Sequence, residues 1–324
     1  MDAERFTADL EAKPEALGAL ADLLDKGDPF DGLPGRVDRI VFLGMGSSRY
    51  AAGVAAQRLR AAGVDAVAEH ASAASGTRPG PGTVAVAISA TGGSRETLDA
   101  VARHTGRSFV VAMTNTPGSA VTREADLTVP MVAGEEAGGV ACRTFQHTLA
   151  LLLALGARAE SGEGAGGLNR ISRLVRRAAE ATADLLDRRG EWLDGAAALL
   201  DGPHGVYTIA PAERLSSAEQ SALMFREGPR RQADACETGD WAHVDVYLTK
   251  TYDYRAILFP GSRYDEQAMD WIRQRGSTVL TVGGDVDGQA GSVRYRHDDD
   301  PDVALLTETL VAELVAAAYW RRVS

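Results

Sequence analysis

Two short stretches of this sequence carry the residue types needed to hold an anion: Leu43-Gly44-Met45-Gly46-Ser47-Ser48 and Ile88-Ser89-Ala90-Thr91-Gly92-Gly93-Ser94-Arg95-Glu96-Thr97. Each follows an apolar run and precedes a helical pattern, so glycine-permitted turns there aim backbone N–H groups and hydroxyls at one point. Gly46, Ser47, Ser48, Ser89, Thr91 and Ser94 are the candidate ligands, and the anion that suits such a pair of turns is the phosphate of a small molecule. Glu227 and His243 offer a second kind of chemistry. Glu227 closes a helical pattern just ahead of Gly228-Pro229, where negative charge opposes the helix dipole and so calls for a reason. His243 ends the polar stretch Glu237-Thr238-Gly239-Asp240-Trp241-Ala242-His243 with its glycine hinge. A carboxylate base moves protons between adjacent carbons and an imidazole near neutrality opens a sugar ring.

Each feature also has a plainer reading. Ser or Thr ahead of a helix ordinarily only caps it, and a lone histidine is ordinarily structural. Gly44-x-Gly46 after a strand is also the start of a dinucleotide fingerprint, with Glu69 near the end of the next strand placed for a ribose. That fingerprint needs a third small residue where this chain has Arg49, so a nicotinamide-dependent oxidoreductase ranks last and no cofactor is expected. Several hydroxyls beside glycines in neighbouring turns exceed what capping requires. No metal is expected either, because Cys142 and Cys236, the two cysteines of the chain, lack metal-ligand spacing or a disulfide framework.

The elements that must position these residues alternate. The pattern predicts strands over 39–43, 65–69, 83–88, 107–113 and 126–129, with helices over 48–62, 94–104, 118–124 and 140–157. Continuously apolar strands such as Val84-Ala85-Val86-Ala87-Ile88 belong in a parallel sheet covered on both faces. A helical lead-in broken at Pro14 occupies 1–35 and the first α/β domain 36–160. A Gly-rich linker over 158–168 and one long amphipathic helix over 169–200 make up the connection, 161–200. A looser copy of the plan fills 201–324, with strands over 205–210, 233–236, 255–259, 277–282 and 292–295 and helices over 215–227, 264–274 and 301–320. The fold class is therefore α/β, two tandem doubly wound parallel-sheet domains. In the second copy the first turn reads Ala210-Pro211-Ala212-Glu213-Arg214, where proline lacks an N–H and Glu213 adds negative charge, so one phosphate site per chain is expected.

Composition sets outer limits. A chain of 324 residues that is 45% hydrophobic can bury two cores. With 45 acidic against 34 basic residues, the net charge of −11 argues against nucleic acid and anionic membrane as partners, and Arg226–Arg231 is too short a basic cluster to reverse that. The start lacks the basic and apolar regions of a secretory signal, and the apolar run Leu149–Ala157 is about half a membrane span. A soluble, cytoplasmic protein is expected.

Taken in order, these motifs resemble the SIS (sugar isomerase) family, in particular its two-SIS members: the isomerase half of glucosamine-6-phosphate synthase, the phosphosugar isomerases and the ketosamine-6-phosphate deglycases. The resemblance rests on the lead-in Phe6–Leu17, the turns Gly44–Ser48 and Ser89–Ser94, the loop Thr114-Asn115-Thr116-Pro117-Gly118-Ser119, and Ala133-Gly134-Glu135-Glu136 with Thr144-Phe145. It implies a flavodoxin-like SIS fold, phosphate held by Ser48, Ser89, Thr91 and Ser94 with help from the Gly46–Ser48 backbone, Glu227 as the proton shuttle and His243 as the ring-opening group. Because that histidine typically serves the neighbouring subunit's site, it also implies a homodimer. Met224 stands where the synthase helix has a lysine, and the sequence ends at Tyr319-Trp320-Arg321-Arg322-Val323-Ser324 without the tail lysine that forms a Schiff base with the ketose. A glutamine-hydrolysing segment ahead of residue 1 is not expected, and Thr91-Gly92-Gly93 stands where the family has a Ser-Gly-Glu. The expectation is an isomerase or deglycase acting on an (amino)sugar or ketosamine 6-phosphate by direct enolisation at C1 and C2, without glutamine amidotransferase activity. The alternative is a non-catalytic phosphosugar-binding regulator.

Overall fold

The structure, a computed structural model, describes residues 1–161 and 165–323. Its first sheet is built from β1 (Arg39–Gly44), β2 (Ala66–His70), β3 (Thr83–Ile88), β4 (Phe109–Thr114) and β5 (Leu127–Pro130), in the order β2-β1-β3-β4-β5. Every pairing is parallel, with Ile40 opposite Ala66 on one side and Val84 on the other. All six residues of β3 are buried, as an apolar strand in the middle of a sheet covered on both faces must be. The helices α3 (Ser47–Ala61), α4 (Arg95–His104) and α5 (Arg143–Ser161) belong to the same unit.

The second sheet contains β6 (Val206–Ala210), β7 (Ala233–Glu237), β8 (Arg255–Leu258), β9 (Thr278–Val282) and β10 (Gly291–Val293), ordered β10-β9-β8-β6-β7 and again wholly parallel. Numbered within its own unit, each sheet reads 2-1-3-4-5, so the tandem plan expected from the sequence is present and the fold class is α/β. Helices α8 (Leu215–Glu227), α10 (Asp265–Arg275), α11 (Pro301–Thr307) and α12 (Thr309–Val323) accompany this sheet.

The chain divides into two compact units, one of Ala16–Glu135 with Arg143–Arg176, the other of Met1–Glu15, Glu136–Cys142 and Arg177–Ser324. Of the lead-in helices α1 (Ala3–Glu11) and α2 (Lys13–Lys26), the first therefore groups with the second sheet. It packs there on α12, with the Phe6 ring 5.9 Å from that of Trp320, and Asp9 ties the segment before α5 to it by accepting the N–H groups of Ala137 at 3.2 Å and Gly138 at 2.7 Å.

Several elements differ from their predicted form. Residues 162–164 of the Gly-rich tract lie outside the described residues; on either side of them α5 runs to Ser161 and α6 (Ala165–Asp187) begins at Ala165, so the described ends of the tract are helical. A glycine costs a helix only about 1 kcal/mol, so such a tract does not by itself impose a linker. The long connecting helix is two, α6 and α7 (Arg189–Leu200), and 301–320 divides into α11 and α12. The helix predicted over 118–124 is a short 3-10 turn, Ala120–Glu124, and α5 begins at Arg143 rather than at 140. In place of a hinge, Thr238–Trp241 forms a helical turn, α9, followed by a 3-10 turn over Asp245–Lys250. The stretch Pro301–Val323 is long and apolar enough to cross a membrane by length and composition, yet 94% of its apolar window is buried in the protein.

That stretch carries an ionic contact inside the core. Lys13 Nζ meets Glu313 Oε2 at 2.5 Å, and both residues are fully buried. Burial pushes the Glu313 carboxyl up, opposed chiefly by the Lys13 charge. A buried pair need not outperform an apolar substitute, but removing one partner strands the other charge. Lys13→Met should therefore cost about 3–5 kcal/mol of unfolding free energy. In urea titrations the double variant Lys13→Met/Glu313→Leu should recover most of that loss, and a double variant no better than the single would refute this account.

Candidate functional site

In a parallel sheet every strand-to-helix turn falls on the carboxyl edge, and the crevice lies where the strand order reverses. In the first sheet that point lies between β1 and β3, neighbours in the sheet, and each is followed by one of the two hydroxyl-rich turns. After β1 the chain turns at Gly46, with φ 50°, and α3 starts at Ser47 without a side-chain cap. A Cβ on Gly44 would lie 3.0 Å from Ser48 Cβ and 3.2 Å from its backbone carbonyl carbon, so the strand end and the helix start approach closely only with glycine there. The hydroxyls of Ser47 and Ser48, both half-buried, make no hydrogen bond to the described residues.

After β3 the hydroxyls are partly used. Ser89 Oγ accepts the Gly92 N–H at 3.1 Å and Thr91 Oγ1 accepts the Gly93 N–H at 3.4 Å, which leaves both hydroxyl protons to give. Ser94 behaves as the cap that its position suggests: its Oγ accepts from Thr97 N at 3.4 Å and donates to Glu96 Oε2 at 2.9 Å. Its proton is thus already committed, and that hydrogen bond helps to hold the Glu96 carboxyl below its usual range, after the backbone contact of Glu96. The turn is tied to the end of β4, because the carbonyl of Ala90 accepts from Asn115 N at 3.0 Å and from the hydroxyls of Thr114 and Thr116 at 3.2 and 3.3 Å. Gly46, Ser47, Ser48, Ser89, Thr91 and Ser94 therefore share one sheet edge. Glu69 is not free for a ribose, since it accepts the backbone N–H and hydroxyl of Thr77 at 2.8 and 2.6 Å.

The matching edge of the second sheet is closed by its own side chains. Arg214, after β6, donates through Nε to Glu308 at 3.0 Å and through Nη2 to the carbonyl of Pro260, after β8, at 2.5 Å. Asp265 at the start of α10 accepts the N–H groups of Gly261 at 2.6 Å and Ser262 at 3.0 Å. A carboxylate of the chain thus takes the amide donors of the turn that corresponds to Ser89–Ser94, and a guanidinium bridges the strand ends. Glu213, whose charge the sequence singled out at this turn, is exposed; the buried neighbour Arg214 does the filling.

Glu227 is the last residue of α8, half-buried, with no hydrogen bond or ion pair among the described residues. Burial pushes its carboxyl up, with Arg226 opposing. Helix α8 leaves the carboxyl edge after β6 and returns towards the start of β7, so Glu227 lies at the amino edge. His243 follows α9, beyond the carboxyl end of β7, and is exposed. The two are separated along the strands by roughly a five-residue strand, about 15 Å. One chain brings the six anion-binding candidates together; it does not bring Glu227 to His243.

A residue that sequence reasoning passed over lies two positions beyond His243. Asp245 is only 8% exposed. Burial, and then the charges of Asp234 and Asp240, raise its carboxyl to about 6. The only local signal was an aspartate enclosed by Val244 and Val246. The segment is pinned nearby by Trp241, whose Nε1 donates to Tyr254 Oη at 2.8 Å. Cys142 and Cys236 are buried free thiols, and among the described residues no group of three or more His, Cys, Asp or Glu could hold a metal ion.

Residues 36–158 match the SIS domain family. The glutamine–fructose-6-phosphate aminotransferase (isomerizing) of Methanothermobacter thermautotrophicus is 27% identical over 310 residues, covering 92% of this chain and 51% of that protein. The C-terminal domain of glucosamine-fructose-6-phosphate aminotransferase from Francisella tularensis superimposes with a TM-score of 0.85 at 16% identity, over 98% of this chain and 96% of that one. Tagatose-6-phosphate ketose/aldose isomerase from Escherichia coli gives 0.77 at 15% identity, over 99% and 93%. This chain spans about half, or less, of the length of the curated relatives it matches.

The Asp245 carboxyl makes a signed prediction. Its folded value of about 6 lies above the ordinary 3.8, so the folded state binds that proton more tightly than the unfolded chain and loses stability as pH rises from about 4 to 6. Asp245→Asn should match the parent near pH 4 and exceed it by up to about 3 kcal/mol above pH 6. Denaturant titrations across this range would check it; a difference that does not change with pH would overturn the assignment.

Proposed function

From the match of residues 36–158 to the SIS domain family we propose that this chain is a sugar-phosphate enzyme that moves a proton between C1 and C2 of an opened sugar or ketosamine 6-phosphate. The observation that carries the reading is the contrast between the two sheet edges. The first offers unspent donors on Ser47, Ser48, Ser89 and Thr91 at the strand-order reversal, whereas Arg214, Glu308 and Asp265 fill the second. The phosphate is held by these hydroxyls and by the backbone of Gly46–Ser48 at the start of α3, where the N–H groups and helix dipole favour an anion. Ser94 joins only if its hydroxyl turns away from Glu96.

With the phosphate fixed, His243 relays the proton that opens the ring. Glu227 then takes the proton from the carbon beside the carbonyl and returns it to the neighbouring carbon, completing an aldose–ketose exchange. Where the substrate bears an amine, the same shift leaves an imine that water hydrolyses, releasing the amine. Burial makes Glu227 a stronger base than an exposed carboxylate. Met224, buried three residues earlier on α8, supplies no amine for an imine route through that position. Glu227 and His243 lie at opposite edges of one sheet, so a site that uses both draws them from two chains, which supports a homodimer as the working form.

Two measurements test the proposal. Phosphosugars should raise the melting temperature selectively, and the wild-type protein should exchange deuterium from substrate C2 into water. Glu227→Gln should lower turnover and exchange by about 10²–10⁴-fold while phosphosugar binding stays within a few-fold. Exchange undiminished in that variant would remove Glu227 from the mechanism. Selective binding without any exchange by the wild type would instead make the protein a phosphosugar-binding regulator.

A further inference from the structure

The segment that leaves β5 is held in an unfavourable conformation. Val132 has φ 50°, a region in which a β-branched residue is an outlier. Its side chain is 36% exposed, so apolar burial does not account for the strain. Three side chains hold the backbone on either side. His147 Nδ1 contacts the carbonyl of Met131 at 2.7 Å. Asn115 accepts the Ala133 N–H through Oδ1 at 2.8 Å and donates through Nδ2 to the Gly134 carbonyl at 2.6 Å. Arg143 donates through Nη2 to the carbonyl of Glu135. Strain kept in place from several directions is characteristic of ligand clamps.

The same Asn115 donates its backbone N–H to Ala90, in the middle of the hydroxyl-rich turn after β3. One residue therefore sets the position of that turn with its main chain and of the strap 131–135 with its side chain. Strands β3, β4 and β5 are consecutive in the sheet. At about 4.8 Å per strand the strap begins roughly 10 Å from the end of β3, about the length of an extended six-carbon sugar phosphate.

Building on the phosphosugar reading above, we infer that the strap 131–135 is the wall against which the sugar end of the ligand lies, with Val132 as a specificity-determining contact and Asn115 as the positioning residue that sets its distance from the phosphate turn. A phosphate held at the turns directs the carbon chain along the sheet edge. The branched side chain of Val132 then limits which substituents fit beside it, and the strained φ is retained because it turns that side chain outward.

The test separates grip on the phosphate from grip on the sugar. Inorganic phosphate and a panel of hexose and amino-hexose 6-phosphates would be titrated against wild type, Val132→Gly and Asn115→Asp. Glycine adopts φ 50° without strain, so Val132→Gly should melt no lower than wild type. A contribution to folding alone would leave its ligand binding untouched. The inference predicts instead a five- to tenfold loss of affinity for the preferred sugar phosphate, flattened selectivity across the panel and phosphate binding within twofold. Asn115→Asp loses the donor to Gly134 and should raise amide exchange over 131–135 with the same loss of selectivity. Unchanged sugar-phosphate affinity and selectivity in both variants would overturn the inference while leaving the phosphosugar reading intact. Absence of phosphosugar binding by the wild type would overturn both.

Discussion

A parallel sheet sends every strand into its helix on the same edge, and where two neighbouring crossovers depart in opposite directions they leave a gap that neither helix covers. The rest of this protein is arranged around how that gap is treated. Backbone N–H groups at helix starts have no partner within the helix, so each such edge must meet a ligand, water or a side chain of its own. In the first sheet glycines draw β1 and α3 close together, and the serines and threonine beside them keep donors in reserve. Nothing in the packing of the sheet requires those hydroxyls; Ala85, Ala87 and Val41 already fill its interior.

The second sheet meets the same constraint with the opposite solution. Its 2-1-3-4-5 order reproduces the gap, but Asp265 answers the amide donors after β8 and Arg214 spans to the Pro260 carbonyl, with Glu308 neutralising the guanidinium from a fully buried position. The second module thus shares the strand order of the first while a carboxylate of its own chain meets the turn amides.

Buried ionisable groups elsewhere follow the same economy of partners. Lys13, at the start of α2, and Glu313 on α12 neutralise each other. Asp245, by contrast, is surrounded by acidic neighbours and aromatic rings without a cation, so it holds its proton to near pH 6. Glu227 lacks any partner among the described residues, which is an unfavourable arrangement for a structural carboxylate and a suitable one for a base. The strained strap at Val132 belongs with these: it is a local cost kept in place by three side chains.

Much of this was legible in the residue order. Continuous apolar runs such as Val84–Ile88 identify strands buried on both faces, the usual state in a parallel sheet, and glycines beside hydroxyls mark the turns after β1 and β3 as candidates for holding an anion. The limits of α8, ending at Glu227, follow from Gly228-Pro229, which removes the donor and dihedral freedom a helix needs. Other features depended on contacts between residues far apart in the chain. That Ser94 spends its proton on Glu96, that Arg214 rather than Glu213 closes the second crevice, and that Asn115 joins the turn after β3 to the strap all require knowing which side chain reaches which group in space. The grouping of α1 with the second sheet goes with its packing on α12, where Phe6 meets Trp320, a contact between the two ends of the chain that no periodicity encodes. Local sequence determined where strands, helices and glycine- and hydroxyl-rich turns form, because dihedral preference and hydrophobic pattern act over a few residues. Only the tertiary structure decided which donors remain unspent and on which edge each chemical group stands, because those depend on distance in space.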